Sequence, residues 1–396
     1  MIKEGISKVE DFSRAVDGFS IPNFKLSEIK VPWSYLPYQF NEDCFDTIFA
    51  NMKALVKAGD YTLGQELTKF EQAFAKKLKV KHAIGVNSGT DALKLALMAK
   101  GVGFGDEVIT AANTFIATVG AINEVGAKPV LVDCTDDFCI DAAKIEAAIT
   151  NKTKAIIPVH LTGKVADIKS VLAIAKKHNL AVVEDACQCM YGKFEDQHTG
   201  TYGDAGAFSL HPLKALNVWG DGGIVVTNDD ALNEKLRLIR NHGLKNRDEI
   251  SLLGLNSRLD TLHAIIGNWL VEDLPSISNA RTQLGNYFLE CLAGIPQIKL
   301  PISHDNRTHV FHLFILFAER RDALYKYCSE RGIEVKVHYP IPLYLQEGLR
   351  HLGNPEDTFP VTDRHARNMI SFPLHQHLDR EHVDYMVKII KEFYAS

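Results

Sequence analysis

A lysine stands between two glycine-bearing apolar runs in Ser209-Leu-His-Pro-Leu-Lys214-Ala-Leu-Asn-Val-Trp219-Gly-Asp-Gly-Gly223. Ala205–Ser209 before it and Gly222–Thr227 after it read as short buried strands, so the amine is expected at the rim of a sheet, as a solvated loop residue or as a working group. Two further polar sets close predicted strands. Asn87-Ser88-Gly89-Thr90 follows the apolar His82–Val86 and opens an apolar helix, the layout of an anion site. There the glycine lets backbone approach a ligand, the hydroxyls donate and the free amides of the helix start point at negative charge, although the same residues also make an ordinary N-cap. Asp185 ends the strand Ala181–Asp185, which places a carboxylate in an apolar setting where it needs a cation or hydrogen-bond donors, unless it only caps a helix. Gln188, three residues on, is within reach of the same place.

An anion cradle, a rim carboxylate and an amine are together what pyridoxal 5'-phosphate requires: its phosphate is anchored, its ring nitrogen is kept protonated and its aldehyde meets a lysine as a Schiff base. A carboxylate about 4 Å from a pyridinium favours the charged ring by roughly 4 kcal/mol at an effective dielectric of 20, which makes the ring an electron sink.

The elements that must hold these groups alternate. Short apolar stretches at His82–Val86, Glu107–Thr110, Pro129–Asp133, Ala155–Val159 and Ala181–Asp185 read as strands; Asp91–Lys100, Ile116–Val125, Ala142–Ile149 and Ile168–His178 read as helices between them. Leu67, Phe70, Phe74 and Leu78 add a helical spacing over Gln65–Leu78. Strands apolar on both faces and joined by helical crossovers predict an α/β fold with a mainly parallel, doubly wound sheet, whose ligands gather at the carboxyl ends of the strands. Regular pattern begins near Lys53; after Leu270 prolines punctuate shorter elements that end in a helix over Arg380–Phe393. The expected division is an N-terminal extension over 1–35, a large domain over 36–275 and a smaller α+β domain over 276–396.

A chain of 396 residues with 46% hydrophobic and 23% charged residues and a net charge of -5 carries no electrostatic footprint for nucleic acid or an anionic membrane. The charged N-terminus lacks the apolar core of a secretory signal and no stretch reaches the length of a membrane span, so a cytoplasmic protein is expected. Seven scattered cysteines fit reduced thiols, and Cys187-Gln-Cys189 is too closely spaced for a metal clip.

From Gly59 to the C-terminus the chain resembles the DegT-type, fold-type I family of pyridoxal-phosphate-dependent sugar aminotransferases. The likeness is carried, in family order, by Gly59-Asp-Tyr-Thr-Leu-Gly64, Asn87–Thr90, Asn113–Thr118, Pro158-Val-His-Leu161, Glu184-Asp-Ala-Cys-Gln188, Ser209–Lys214, Gly220–Gly223 and Asn256-Ser-Arg-Leu-Asp260. The resemblance implies that Lys214 is the Schiff-base lysine, that Asp185 pairs with the ring nitrogen, and that Gln188 bonds near the ring hydroxyl. It also implies that Ser88, Gly89, Thr90 and Ser209 hold the phosphate and that Phe115 stacks on the ring. Asn256 would reach the phosphate of a neighbouring subunit, hence a homodimer with shared sites. Thr62, His160, His211, Trp219 and Arg258 are candidates for the substrate; packed histidines and a structural ion pair for Arg258 are the alternatives.

The likeness further implies L-glutamate as amino donor. As acceptor it points to the 8-aldehyde of 3-deoxy-octulosonate, giving 8-amino-3,8-dideoxy-manno-octulosonate for lipopolysaccharide; a nucleotide-linked 3- or 4-keto-6-deoxyhexose is the alternative. Lys214 and the lack of a cluster-type cysteine set speak against the dehydratases of the family. A pyridoxal-phosphate-binding regulator without turnover is the non-enzyme alternative. Trp219, Leu210 and the long stretch before Val31 depart from the family's common pattern, at positions that bear on the sugar pocket.

Overall fold

The computed structural model describes residues 28–302, 304, 306–352 and 359–396. Most of the expected N-terminal extension, residues 1–27, lies outside the described residues.

The strands in chain order are β1 (His82–Val86), β2 (Glu107–Ala111), β3 (Lys128–Val132), β4 (Thr153–Ile157), β5 (Ala181–Asp185), β6 (Lys193–Phe194), β7 (Gln197–His198), β8 (Ala205–Ser209), β9 (Gly223–Thr227), β10 (Ile298–Lys299), β11 (Phe314–Ala318) and β12 (Met369–Phe372). Seven of them form the main sheet in the order β1-β9-β8-β5-β4-β2-β3. From β3 to β8 every pairing is parallel, and β9 runs antiparallel to both of its neighbours. The doubly wound, mainly parallel α/β sheet expected from the sequence is therefore present, with one reversed strand inside it.

Its strands are apolar on both faces because helices such as Gly89–Ala99 and Ile168–His178 cover them. Ile84, Ile156, Val183, Phe208 and Val225 are wholly buried, each contributing about 1.5–3 kcal/mol over exposure. Helix starts at the carboxyl ends of strands are fixed by side-chain caps: Ser88 Oγ accepts the Asp91 amide at 3.0 Å and Asp229 Oδ1 the Leu232 amide at 3.0 Å. Such a cap is worth about 1 kcal/mol.

Antiparallel β10-β11-β12 builds a second, smaller sheet backed by the helices Leu274–Leu292, Arg321–Ser329 and Arg380–Ala395. Strand periodicity divides β11 between two cores. Phe314 and Leu316 pack with Phe288 and Phe372, the Phe288 and Phe314 rings stacked at 4.1 Å, whereas Ile315 and Phe317 join the core of the main sheet with Phe138 and Leu161. The expected domain division at 275/276 falls just inside the helix Leu274–Leu292.

One helix precedes the region where sequence periodicity became regular: Glu42–Ala58 buries only Ile48 and Leu55, so its apolar face is too sparse to be read as a pattern. Ala142–Ile149 is helical only to Ile145 and closes as a tighter turn over Glu146–Ala148.

Candidate active site

A cavity of about 430 Å³ opens at the carboxyl ends of β1, β5 and β8, between the main sheet and the small one. Its floor is made of strand ends. Ser88, Gly89 and Thr90, Asp185 and Gln188, and Ser209 and Lys214 all line it, with Phe115 and His211 at the side. Nine residues singled out from the sequence thus converge, eight from the ends of β1, β5 and β8 and Phe115 from the loop after β2.

Each is set by its element. Gly89 is buried at the first turn of its helix, and a β-carbon there would stand 2.8 Å from Ser209 Cβ, so the backbone of the helix start and the end of β8 touch as only glycine permits. Asp185, 6% exposed, is braced on both oxygens: Oδ2 accepts the Thr118 hydroxyl at 2.8 Å and Oδ1 the Cys187 amide at 3.1 Å. Thr114 Oγ1 lies 2.9 Å from Thr118 Oγ1 and extends the chain. Gln188 Oε1 accepts the Thr162 amide at 2.8 Å, and its side chain also bonds to Tyr339 on the cavity wall.

Lys214 rides on the loop that turns back from β8 into β9. Leu210 N donates to Gly222 O at 2.8 Å at the base of the loop, and the Lys214 carbonyl accepts the Tyr35 hydroxyl at 2.7 Å. No ion pair or hydrogen bond engages its amine among the described residues. Burial pulls this amine below the ordinary lysine range, with Cys187 and Asp185 pulling the other way, so the neutral, proton-accepting form is favoured more than in water.

The roof comes from elsewhere in the chain: Trp33 and Tyr35 near the N-terminus, Arg281, His312, His338 and Tyr339, and His375. The sequence reading had not singled out these residues. Burial next to Lys336 and Lys214 holds His338 down at about 4, burial beside Arg281 does the same to His375, and burial among Lys214, Arg281 and His338 drives His312 well below its usual range. At neutral pH these rings are uncharged.

Five other sequence candidates lie off the cavity wall of this chain. His160 is wholly buried, its Nε2 3.0 Å from Glu184 Oε2 and its Nδ1 accepting the Ala166 amide at 3.1 Å. That is the packed, hydrogen-bonded alternative. Trp219 is wedged among Phe40, Phe45 and Phe49 at 5.3 to 6.0 Å. Arg258 donates to Asn241 Oδ1 at 3.0 Å. Thr62 and Asn256 are exposed.

The residues present fit pyridoxal 5'-phosphate: the glycine-tight helix start offers amides and hydroxyls to a phosphate, the braced carboxylate is aimed at the rim, and a buried amine without a partner stands between them. Fold and cavity together define a pyridoxal-phosphate-dependent transferase of fold type I. The DegT/DnrJ/EryC1/StrS aminotransferase family matches residues 43–391, and the chain belongs to it. It is 38% identical over 92% of its length to the dTDP-3-amino-3,4,6-trideoxy-alpha-D-glucose transaminase of Streptomyces venezuelae, of which 96% is covered. Identity reaches 41%, over 92% of this chain and 99% of the relative, with a pleiotropic regulatory protein of Geobacillus stearothermophilus. The crystal structure of S. venezuelae DesV superposes with a TM-score of 0.89 at 37% identity, covering 92% of this chain and 98% of that one. The protein is a sugar aminotransferase that uses pyridoxal phosphate.

Proposed function

We propose that this enzyme moves the amino group of L-glutamate to the 8-aldehyde of 3-deoxy-octulosonate, forming 8-amino-3,8-dideoxy-manno-octulosonate, with Lys214 as the group that carries the proton. The supporting observation is the hydrogen-bonding character of the cavity wall. Arg281 supplies a fixed positive charge and the neutral roof histidines supply N–H donors, groups that suit the carboxylates of the donor and of a sugar acid, while Asp185 and Asp221 are the acidic residues of the wall.

In this reading Ser88, Gly89, Thr90 and Ser209 hold the cofactor phosphate, Asp185 holds the ring nitrogen, Gln188 the ring hydroxyl, and Phe115, 51% exposed at the cavity side, covers the ring face. Bound pyridoxal phosphate supplies an electron sink that acidifies the carbon bearing the amine. The Lys214 amine, buried beside Asp185 and Cys187, would be the group that takes up and returns the proton at that carbon. The same amine then runs the transfer in the opposite sense for the sugar. Its depressed proton affinity leaves more of it as free base at neutral pH. Two half-reactions in one cavity give ping-pong kinetics.

Asn256 is exposed, as are the apolar side chains of Tyr61, Ile250 and Leu253, and it is read as part of a homodimer surface, reaching the phosphate of the second copy. Arg258 and Thr62 belong to the same reading.

A second acceptor, a nucleotide-linked keto-6-deoxyhexose, is favoured by the named product of the Streptomyces relative. Incubating the purified enzyme with glutamate and each acceptor, and measuring 2-oxoglutarate and aminosugar, decides between them. Amination of the nucleotide-linked ketone in preference to the octulosonate aldehyde overturns the first choice. Failure to release 2-oxoglutarate with any acceptor would favour a regulator of the kind named for the Geobacillus relative.

A further inference from the structure

The roof carries a segment that no catalytic role accounts for. Residues 30–35 form a strap along the cavity wall that leads into a short 3-10 turn over Leu36–Tyr38, and it is pinned on both sides. On the small-sheet side, Lys30 N and Val31 N donate to Gly332 O at 2.9 and 3.0 Å, Trp33 N donates to Glu334 Oε2 at 2.6 Å, and His375 Nε2 lies 3.2 Å from Pro32 O. Gly332 is required there: a β-carbon would stand 2.5 Å from Glu28 O, at a φ of +80°. On the main-sheet side, the Tyr35 hydroxyl donates to the Lys214 carbonyl at 2.7 Å.

Between these pins the Trp33 ring lines the cavity, stacked on His338 at 5.3 Å and 23°, with Lys336 Nζ 5.6 Å from its centroid. A ring held flat by a stacked partner and by hydrogen bonds of its own backbone loses almost no freedom when a ligand arrives, and it offers a broad apolar face with a cation close by. The axial C–H face of a sugar is the complement of such a surface, while the small, highly polar amino donor has little to lay against it.

We propose that the strap is the acceptor-selecting wall of this aminotransferase: Trp33 is the face against which the sugar ring lies, and Tyr35 is a positioning residue that fixes that wall to the backbone of Lys214. The inference rests on transfer to a sugar and holds for either acceptor named above, so a wrong choice of acceptor leaves it standing.

The two half-reactions separate its consequences. With the holoenzyme in a stopped-flow spectrophotometer, the glutamate half-reaction is followed by the change in cofactor absorbance, and the sugar half-reaction by its reversal with the octulosonate aldehyde and with a dTDP-linked 3-keto-6-deoxyglucose. For Trp33→Ala the sugar concentration giving half-maximal rate is expected to rise about tenfold, and for Trp33→Phe about threefold, while the glutamate half-reaction stays within about twofold. Tyr35→Phe, which loses the hydroxyl and keeps the ring, is expected to slow both half-reactions, because it touches the lysine they share.

Titrating the wild-type holoenzyme with unreactive 3-deoxy-octulosonate and dTDP-glucose should quench tryptophan fluorescence, and Trp33→Phe should abolish that quench although Trp219 and Trp269 remain. Equal loss in the two half-reactions for Trp33→Phe, no change in either, or a quench that survives the substitution overturns the proposal. Should Trp33→Ala fail to load cofactor, the Trp33→Phe comparison and the quench decide it.

Discussion

The floor and the roof of the cavity are built by different rules. Every floor residue stands at or within a few positions of a strand end, and its partners come from the loops and helix starts that follow other strands of that sheet: Thr118 after β2 on Asp185, Thr162 after β4 on Gln188, and Gly89 after β1 against Ser209. The roof assembles from Trp33, Arg281, His312, His338 and His375, stretches far apart in sequence that meet only when the small sheet folds back over the large one. A group placed by its own strand is held to chemical tolerance wherever that strand pairs. A group placed by long-range packing depends on the rest of the molecule and is free to vary with the ligand it must select. The floor therefore suits invariant cofactor chemistry, the roof a substrate that differs among relatives.

That contrast is sharpest at Lys214. Lys214→Ala should lower the rate of the glutamate half-reaction by roughly a thousandfold or more, the scale of a lost positioned proton carrier, with cofactor still bindable and measurable by absorbance. Full multiple-turnover amination by this variant would remove the floor's special status. Asp185→Asn keeps the shape and deletes the charge; at about 4 Å and an effective dielectric near 20, the loss corresponds to roughly a hundredfold to a thousandfold in the same half-reaction. The floor reading fails if the variant turns over at the wild-type rate.

The roof should dominate a different measurement. Its histidines are neutral in the fold and held near 4 for His338 and His375, against an ordinary value of about 6.5 in the unfolded chain. Because the folded state refuses the proton that the unfolded state accepts, their contribution is complete above about 6.5 and drains away as pH falls towards about 4. The slope is about 1.4 kcal/mol per pH unit for each such histidine. Denaturant titrations between those limits should show this fall, and His338→Gln should lessen its slope by about 1.4 kcal/mol per pH unit, the share of one histidine. An unchanged slope would mean the ring is not buried neutral.

Two smaller tests ask how far support for the floor extends. Thr118→Val removes one donor from a buried carboxylate and should cost about fivefold to tenfold in glutamate turnover, read as a kcat effect with little change in KM. Trp219→Phe should leave both half-reactions within about twofold, because the ring is packed among three phenylalanines away from the cavity, and should lower stability by about 1 kcal/mol in a thermal melt.

Much of the floor could be read from the chain, for the same physical reason. β1, β5 and β8 are short apolar runs buried on both faces, and a polar residue directly after such a run has nowhere to go but the rim, so Ser88, Asp185 and Ser209 declared themselves by position. The reversal of β9 was not legible, since Gly223–Thr227 is equally apolar whichever way it runs. Trp219 misled because a large ring beside a glycine-rich turn looks the same in sequence whether it faces a ligand or a helix such as Glu42–Ala58. His160 did likewise: strand-end placement cannot tell a ring facing the cavity from one turned back onto Glu184. No local pattern announced Arg281 or His338. A helix-borne arginine whose guanidinium holds the carbonyls of Phe311 and His312 has its meaning only in the folded contact.

The single strand that opposes its neighbours has one more consequence. In the rest of the main sheet a chain that leaves the carboxyl edge must return to the far edge, by a helix or, between β5 and β8, through the β6-β7 ribbon, before it can pair again. After β8 it simply doubles back along β9, clasped at its root where Leu210 meets Gly222. The tether bearing the amine is accordingly a local return between two adjacent strands, and Leu216, Asn217 and Val218, wholly buried along it, anchor it to the core without any crossover.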